Sequence, residues 1–285
     1  MNANLVYSYT FLFCVATFVC ALLVYGGARK KAPQRVGHLR GKVKTDAFNR
    51  VDIFGVGLFL LIFGAITALA QMPPELDADA EPKEIKITPM VMIAGMISQQ
   101  IVFVLIVFTL MMFRGTNFTK LFGLRWEKAH RLIIIAPLGV ILVYLFNFGL
   151  YILKYPEWLE QMFGADAQLQ ETVRIYQEIH AATIRSMMAF TIVILAPICE
   201  EVAFRGYIYA ATKRFTSRFF AAVFSSLLFS LVHYNVNAML PLLFLALVLT
   251  ISYEMTGSLW APISIHALFN ALTLINLEMG NVPTN

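Results

Sequence analysis

The chain has 285 residues, of which 59% are hydrophobic and only 14% are charged, whereas about a quarter of the residues in a soluble domain are charged. This composition excludes a water-soluble enzyme. The formal net charge is +5, but the basic residues lie in short stretches between apolar runs rather than along one polar face, so we expect no nucleic-acid partner. The composition predicts a polytopic membrane protein in contact with the lipid bilayer.

Eight apolar runs have about the length that a helix needs to cross a bilayer, roughly 20 residues. They cover residues 5–25, 53–72, 89–113, 132–153, 184–211, 219–234, 240–253 and 259–277. We therefore predict an all-α fold, a polytopic transmembrane helical bundle of about eight spans. The first run has no basic segment before it and no small-residue cleavage site after it, so we expect a first span rather than a cleaved signal peptide.

The loops between these runs alternate in charge. The first loop is strongly basic, the second is acidic, and the loops before the fourth and sixth runs are basic again, the latter through Lys213, Arg214 and Arg218. Because basic loops face the cytoplasm, we predict that both termini face away from it. We expect four regions: N-terminal transmembrane helices at 1–165, an amphipathic linker helix at 166–183, a core at 184–277 and a tail at 278–285.

Ionisable side chains within the apolar runs are few and fall in the last hundred residues. They are Glu200, Glu201, Arg205, His233 and His266, and the amide of Asn270 lies one turn after the second histidine. An ionisable group inside a membrane is costly and marks a functional site by default. At 1.5 Å per residue, Glu200, His233, His266 and Asn270 lie roughly 14 to 22 Å from the nearest loop. We therefore expect these four residues to share one layer of the bundle.

Helical spacing separates the two adjacent glutamates. Glu201 and Arg205 are four residues apart and can neutralise each other, so we expect a buried ion pair that fixes the register of the helix. Glu200 is rotated by about 100° from its neighbour. We therefore predict that Glu200 is the free carboxylate of the site.

The chemistry that this set favours is the activation of water. A glutamate in an apolar pocket is a good general base, and His233 can help to deprotonate the same water. His266 and Asn270 can donate hydrogen bonds to the oxyanion that forms when water attacks a carbonyl. Alternatively, Glu200, His233 and His266 can ligate a divalent metal such as zinc, which lowers the pKa of its bound water. The sequence leaves both mechanisms open.

Three motifs occur in order on successive apolar runs. They are Glu200-Glu201-x-x-x-Arg205, Phe229-x-x-x-His233 and His266-x-x-x-Asn270, flanked by Ala196-Pro197, Gly206 and Gly257-Ser258-Leu259. In this order they resemble the CPBP family of intramembrane proteases, which comprises CAAX prenyl endopeptidases and bacteriocin-processing or immunity proteins. The resemblance covers residues 184–277, about a third of the chain.

The resemblance implies an intramembrane endopeptidase in a bacterial plasma membrane that cleaves a peptide or lipidated protein, such as a prenylated CAAX substrate. It implies that Glu200 and His233 activate the water. It also implies that Glu201 and Arg205 orient the first carboxylate.

The resemblance further implies that His266 and Asn270 stabilise the oxyanion. The family is described both as metal-dependent and as glutamate-dependent, so the need for a metal stays open. Two other functions are compatible with the sequence: a noncatalytic membrane scaffold or bacteriocin-immunity protein of the same fold, and a proton-coupled transporter. The transporter would require inverted repeats or paired broken helices, and neither is evident in the sequence.

Overall fold

The structure is a computed structural model that describes residues 3–31, 41–71, 88–112, 115–125, 127–163, 175–177 and 179–280. Within these ranges the chain forms helices and turns and contains no strand. The helices are α1 (Ala3–Lys31), α2 (Val51–Gln71), α3 (Pro89–Met112), α4 (Phe118–Leu121), α5 (Leu132–Ile152), α6 (Tyr155–Phe163), α7 (Ala182–Phe215), α8 (Arg218–Leu231), α9 (Val236–Thr256) and α10 (Trp260–Glu278).

Among the described residues, six helices are long and apolar enough to cross a membrane: α1, α3, α5, α7, α9 and α10. Helix α8 and the Val51–Ala65 part of α2 are shorter apolar helices. Large apolar side chains such as Leu61 and Ile133 are 72% and 80% exposed, as expected for helices that face lipid. The predicted all-α polytopic bundle is confirmed, and the protein is a multi-pass integral membrane protein. Each predicted run coincides with a helix, but the number of eight spans stays a prediction.

Three helix boundaries differ from the ends of the apolar runs. The side chain of Asn235 accepts a hydrogen bond from the backbone N–H of Ala238 at 2.8 Å, so α9 begins before the apolar run does. Gly257 ends α9 in the left-handed conformation, with φ +74°, which glycine adopts without steric cost. Helix α8 ends at Leu231, and His233 therefore lies in the turn after the helix rather than on it.

Helix α7 is central and is not a regular α-helix. It contains two π-helical segments, Thr191–Leu195 and Val202–Tyr209, which flank the α-helical segment Ala196–Glu201. The first π segment ends two residues before Pro197. Proline has no N–H to donate, and its ring crowds the preceding turn. The adjacent glutamates thus lie between two π segments, a feature often found at functional sites. The sequence predicts regular α-helical geometry here, and the two π segments correct that prediction.

Helix α7 is surrounded by helices from both halves of the chain. Its segments contact α3, α8 and α10, and its last turns also contact α2. Side chains of its second π segment, including Phe204, Tyr207 and Ile208, are buried in the main apolar core. This packing places the glutamates of α7 against α3 on one side and α10 on the other.

A buried polar cluster around Lys213 lies at the C-terminal end of α7. Lys213 is fully buried and forms an ion pair with Glu254, which also accepts a hydrogen bond from the Tyr209 hydroxyl at 2.7 Å. The Lys213 ammonium also donates to the Val43 carbonyl at 3.1 Å. Lys213 therefore holds the segment after α1 against the bundle. The sequence predicts a solvated loop charge at this position, and the burial of Lys213 corrects that prediction.

The predicted linker at 166–183 lies largely outside the described residues. Of its described part, Ile175, Tyr176 and Ile179 are buried. The Tyr176 hydroxyl donates to Glu278 Oε1 at 2.8 Å, and Glu278 Oε2 forms an ion pair with Arg185 at 2.8 Å. These contacts join the end of the linker to α7 and α10. The division of the chain into four regions stays a prediction.

Candidate active site

Glu200 lies on α7 and is held by a residue of α3. Its Oε1 accepts a hydrogen bond from Gln100 Nε2 at 2.9 Å, while its Oε2 lies 4.0 Å from His266 Nε2. The side chain of Glu200 is 14% exposed. The carboxylate that the sequence predicts to be free of the Glu201–Arg205 ion pair thus lies outside that pair, and one of its oxygens has a partner on another helix.

Gln100 is a residue of the site that the sequence analysis missed. It is 3% exposed, and its Oε1 has no hydrogen-bond partner among the described residues. A hydrogen bond between membrane helices contributes only about 0.6 kcal/mol on average, whereas a buried polar atom without a partner costs about 1–3 kcal/mol. The signal was present in the sequence, because Gln99 and Gln100 are adjacent polar residues in an otherwise apolar run.

Glu201 is the centre of a fully buried network. Its Oε1 accepts from Arg205 Nη1 at 2.8 Å and contacts His266 Nδ1 at 3.0 Å. Arg205 Nη2 also donates to the backbone oxygen of Ala246 on α9 at 3.1 Å. The ion pair predicted from the spacing is therefore formed, and it joins α7, α9 and α10. The direct hydrogen bond to Glu200 comes from α3, not from this ion pair.

His233 is oriented by the backbone of its own chain segment. Its Nδ1 lies 2.8 Å from the carbonyl oxygen of Phe229. Because a carbonyl only accepts, the proton of a neutral ring lies on Nδ1 and Nε2 is left as the acceptor. In this tautomer, Nε2 can take a proton from water. His233 also interacts electrostatically with Glu200 and His266.

The ring of Phe229 packs against His233, His266 and Arg205. Its centroid lies 4.8 Å from that of His233 and 5.7 Å from that of His266. The guanidinium carbon of Arg205 lies 4.5 Å from the ring centroid, and Phe204 packs edge-on at 5.1 Å. The aromatic face thus covers the buried cation of Arg205 on the side of His233.

Asn270 lies on α10 and contacts the backbone of α7. Its Nδ2 donates to the carbonyl oxygen of Ile192 at 2.8 Å. The Ala196 N–H, which would bond this carbonyl in an α-helix, instead donates to Thr191. The next residue, Pro197, has no N–H. Asn270 therefore satisfies a carbonyl that the helix leaves without a backbone donor.

Comparisons with known proteins agree with the motifs. Residues 182–272 match the family described as Type II CAAX prenyl endopeptidase Rce1-like. A relative from Bacillus subtilis (strain 168), YdiL, named as a candidate membrane peptidase, is 30% identical over 114 residues. The resemblance to the CPBP family is confirmed. The YdiL match covers 40% of this chain and 46% of the relative, so the chain spans about half the length of that relative. No solved structure matches the chain.

His266 and Asn270, to which the CPBP resemblance assigns the oxyanion, are only partly available as donors in this geometry. His266 Nδ1 faces the carboxylate of Glu201 at 3.0 Å, so Nδ1 carries the proton of a neutral ring. Its Nε2 can then donate a hydrogen bond only when the ring is protonated. Asn270 uses one Nδ2 hydrogen on Ile192, which leaves a second hydrogen for another acceptor.

The sequence leaves open that Glu200, His233 and His266 ligate a divalent metal. Among the described residues, no three His, Cys, Asp or Glu side chains are arranged to hold a metal ion. Ligands of a tetrahedral zinc lie about 2 Å from the metal and hence about 3.3 Å from each other, whereas His266 and Glu200 are 4.0 Å apart. In the described positions, these three side chains therefore do not form a metal-binding set.

Proposed function

We propose that the chain is an intramembrane endopeptidase that hydrolyses a peptide bond of a membrane-associated substrate with water activated by Glu200 and His233. The observation that carries the proposal is the arrangement around Glu200. One carboxylate oxygen is held by Gln100, and the other faces His266 at 4.0 Å. His233 is held as a proton acceptor by Phe229. The CPBP match supports this assignment.

In the first step, a water molecule bound at Oε2 of Glu200 loses a proton to this carboxylate. A second hydrogen bond from the water to His233 Nε2 aligns the oxygen for attack. The oxygen bonds to the scissile carbonyl carbon, and the electron pair of the C=O bond moves to the carbonyl oxygen.

In the second step, the tetrahedral intermediate collapses. The second Nδ2 hydrogen of Asn270, together with Nε2 of His266 when that ring is protonated, stabilises the oxyanion. The C–N bond breaks, and the proton held by Glu200 passes to the leaving nitrogen. The products are a new carboxylic acid and a new amine. Glu200 is ionised again as soon as its proton has passed to the nitrogen, and the new carboxylic acid then loses its own proton to water.

An apolar cavity near the site supports a substrate with an apolar group. An apolar cavity of about 260 Å³ lies beside the turn that carries His233, lined by residues that include Phe63, Phe103, Phe204 and Val232. Such a cavity suits an apolar substrate group. The description of the matched family makes a prenylated CAAX peptide the first substrate to test, with an unprenylated membrane peptide beside it.

The experiment compares variants in proteoliposomes that contain these peptides. We expect Glu200→Gln and His233→Ala each to abolish cleavage, with protein abundance and thermal unfolding unchanged. Glu157 and His130 are exposed residues away from the site. Glu157→Gln and His130→Ala are therefore matched controls and should cleave at the wild-type rate.

A noncatalytic scaffold of the same fold predicts a different result. Both site variants would then retain the biological activity of the wild type, and no preparation would release peptide products. Cleavage by Glu200→Gln at the wild-type rate would show that another group activates the water.

A further inference from the structure

Gln100 is the contribution of α3 to the site, and α3 lies outside the region that matches the CPBP family. We propose that Gln100 is a positioning residue for the proposed hydrolysis. Its Nε2 holds Oε1 of Glu200, so that Oε2 keeps a fixed direction toward the water. This inference rests on the proposed function and adds a residue from the N-terminal half to its machinery.

The physical need for such a partner lies in the glutamate side chain. The last torsion of a glutamate has a broad energy profile, so an unheld carboxylate samples many orientations about the Cγ–Cδ bond. The direct hydrogen bond of 2.9 Å from a buried amide restricts this rotation. A general base held in the productive orientation loses less entropy when the transition state forms.

Helix packing alone does not explain a glutamine at this position. The Oε1 atom of Gln100 is buried without a hydrogen-bond partner among the described residues, which is unfavourable for folding. Methionine has a similar length, fills apolar gaps and leaves no polar atom without a partner. Gln100→Met removes this unpaired oxygen but also leaves Oε1 of Glu200 without its donor, so the two effects on stability oppose each other. We therefore expect Gln100→Met to change the stability only slightly.

Gln161 on α6 supplies a matched control. It has the same side chain as Gln100, but it is exposed. The variants are Gln100→Met, which removes the amide, and Gln100→Glu, which keeps its shape but replaces the donor by a carboxyl group. Gln161→Met and Gln161→Glu accompany them, together with Glu200→Gln.

The readouts are kcat, KM and the thermal unfolding temperature in detergent. For both Gln100 variants we expect kcat to fall by about 10- to 100-fold, with KM unchanged, because the interaction that is lost orients the base and does not bind the substrate. The unfolding temperature of Gln100→Met should stay close to that of the wild type. The Gln161 variants should match the wild type in all three.

Three results would overturn the inference. Wild-type kcat in both Gln100 variants, while Glu200→Gln is inactive, would remove Gln100 from the mechanism and leave the proposed function intact. A loss of activity that parallels a loss of folded protein in both variants would make Gln100 a structural residue. Equal cleavage by the wild type and Glu200→Gln would refute the proposed function, and the positioning role with it.

Discussion

The contact between Asn270 and Ile192 allows a prediction about stability that is independent of catalysis. Asn270→Leu removes the side-chain donor for a carbonyl that the backbone of α7 leaves without one. The expected cost is about 1–3 kcal/mol, the range for a buried acceptor that loses its partner. Within a membrane bundle we expect the lower half of this range, because the unfolded state in the membrane also finds hydrogen-bond partners.

The double variant with Pro197→Ala tests the cause of this cost. Alanine at position 197 restores a backbone N–H that can donate to Ile192, five residues earlier. Asn270→Leu should then cost about 1 kcal/mol less than in the wild-type background, a coupling typical of groups that share a partner. Pro241 lies inside α9, so Pro241→Ala is a matched proline control for which no coupling is expected.

The assay is the free energy of unfolding in mixed micelles, measured by titration with a denaturing detergent and followed by tryptophan fluorescence. The cycle compares the wild type, Pro197→Ala, Asn270→Leu and the double variant. Pro241→Ala, alone and combined with Asn270→Leu, is measured under identical conditions. Additive effects of Pro197→Ala and Asn270→Leu would refute the assigned hydrogen bond, as would wild-type stability of Asn270→Leu alone.

Two further predictions concern the buried ion pair and the metal. Arg205→Met should lower the free energy of unfolding by about 3–5 kcal/mol because it leaves the carboxylate of Glu201 buried without its cation, and adding Glu201→Leu should recover most of that loss without restoring cleavage. If the single variant unfolds like the wild type, Glu201 has another counter-charge. Exhaustive chelation should leave the cleavage rate in proteoliposomes unchanged, and a rate that is lost and then restored only by added zinc would show that a metal carries the reaction.

The sequence predicts the fold and most members of the site because the membrane makes polar residues conspicuous. An apolar run of about 20 residues has few alternatives to a helix, since all backbone groups must be satisfied within it. The i,i+4 spacing of Glu201 and Arg205 also predicts their ion pair correctly. Both predictions depend on local geometry alone.

Contacts between distant segments are not contained in that local geometry. The sequence does not show that α3 would pack on α7 and bring Gln100 to Glu200, although the polar pair in that run indicated a special position. Lys213 was interpreted as a loop charge because its neighbour Arg214 is basic too, but it is buried against Glu254, which lies 41 residues later. The pairing depends on how the last turns of α7 and α9 pack against each other and against the segment after α1.

The π segments explain a contact of Asn270 that helical spacing does not predict. Regular helical spacing places the Asn270 amide beside His266, which suggests two donors to one oxyanion. The π segment before Pro197 frees the Ile192 carbonyl, and Asn270 donates one of its hydrogens there. No periodicity rule predicts this local change in helix geometry, because it depends on Pro197 together with a donor on α10.

The central claim is that Glu200 activates water to cleave a membrane peptide. The most direct measurement is a quantitative comparison of membrane peptides and new carboxyl termini in the native host carrying either the wild-type chain or Glu200→Gln at equal abundance. We predict a defined set of cleaved peptides that is present with the wild type, absent with Glu200→Gln and restored by re-expression of the wild type. Identical peptide profiles in the two strains would contradict the account.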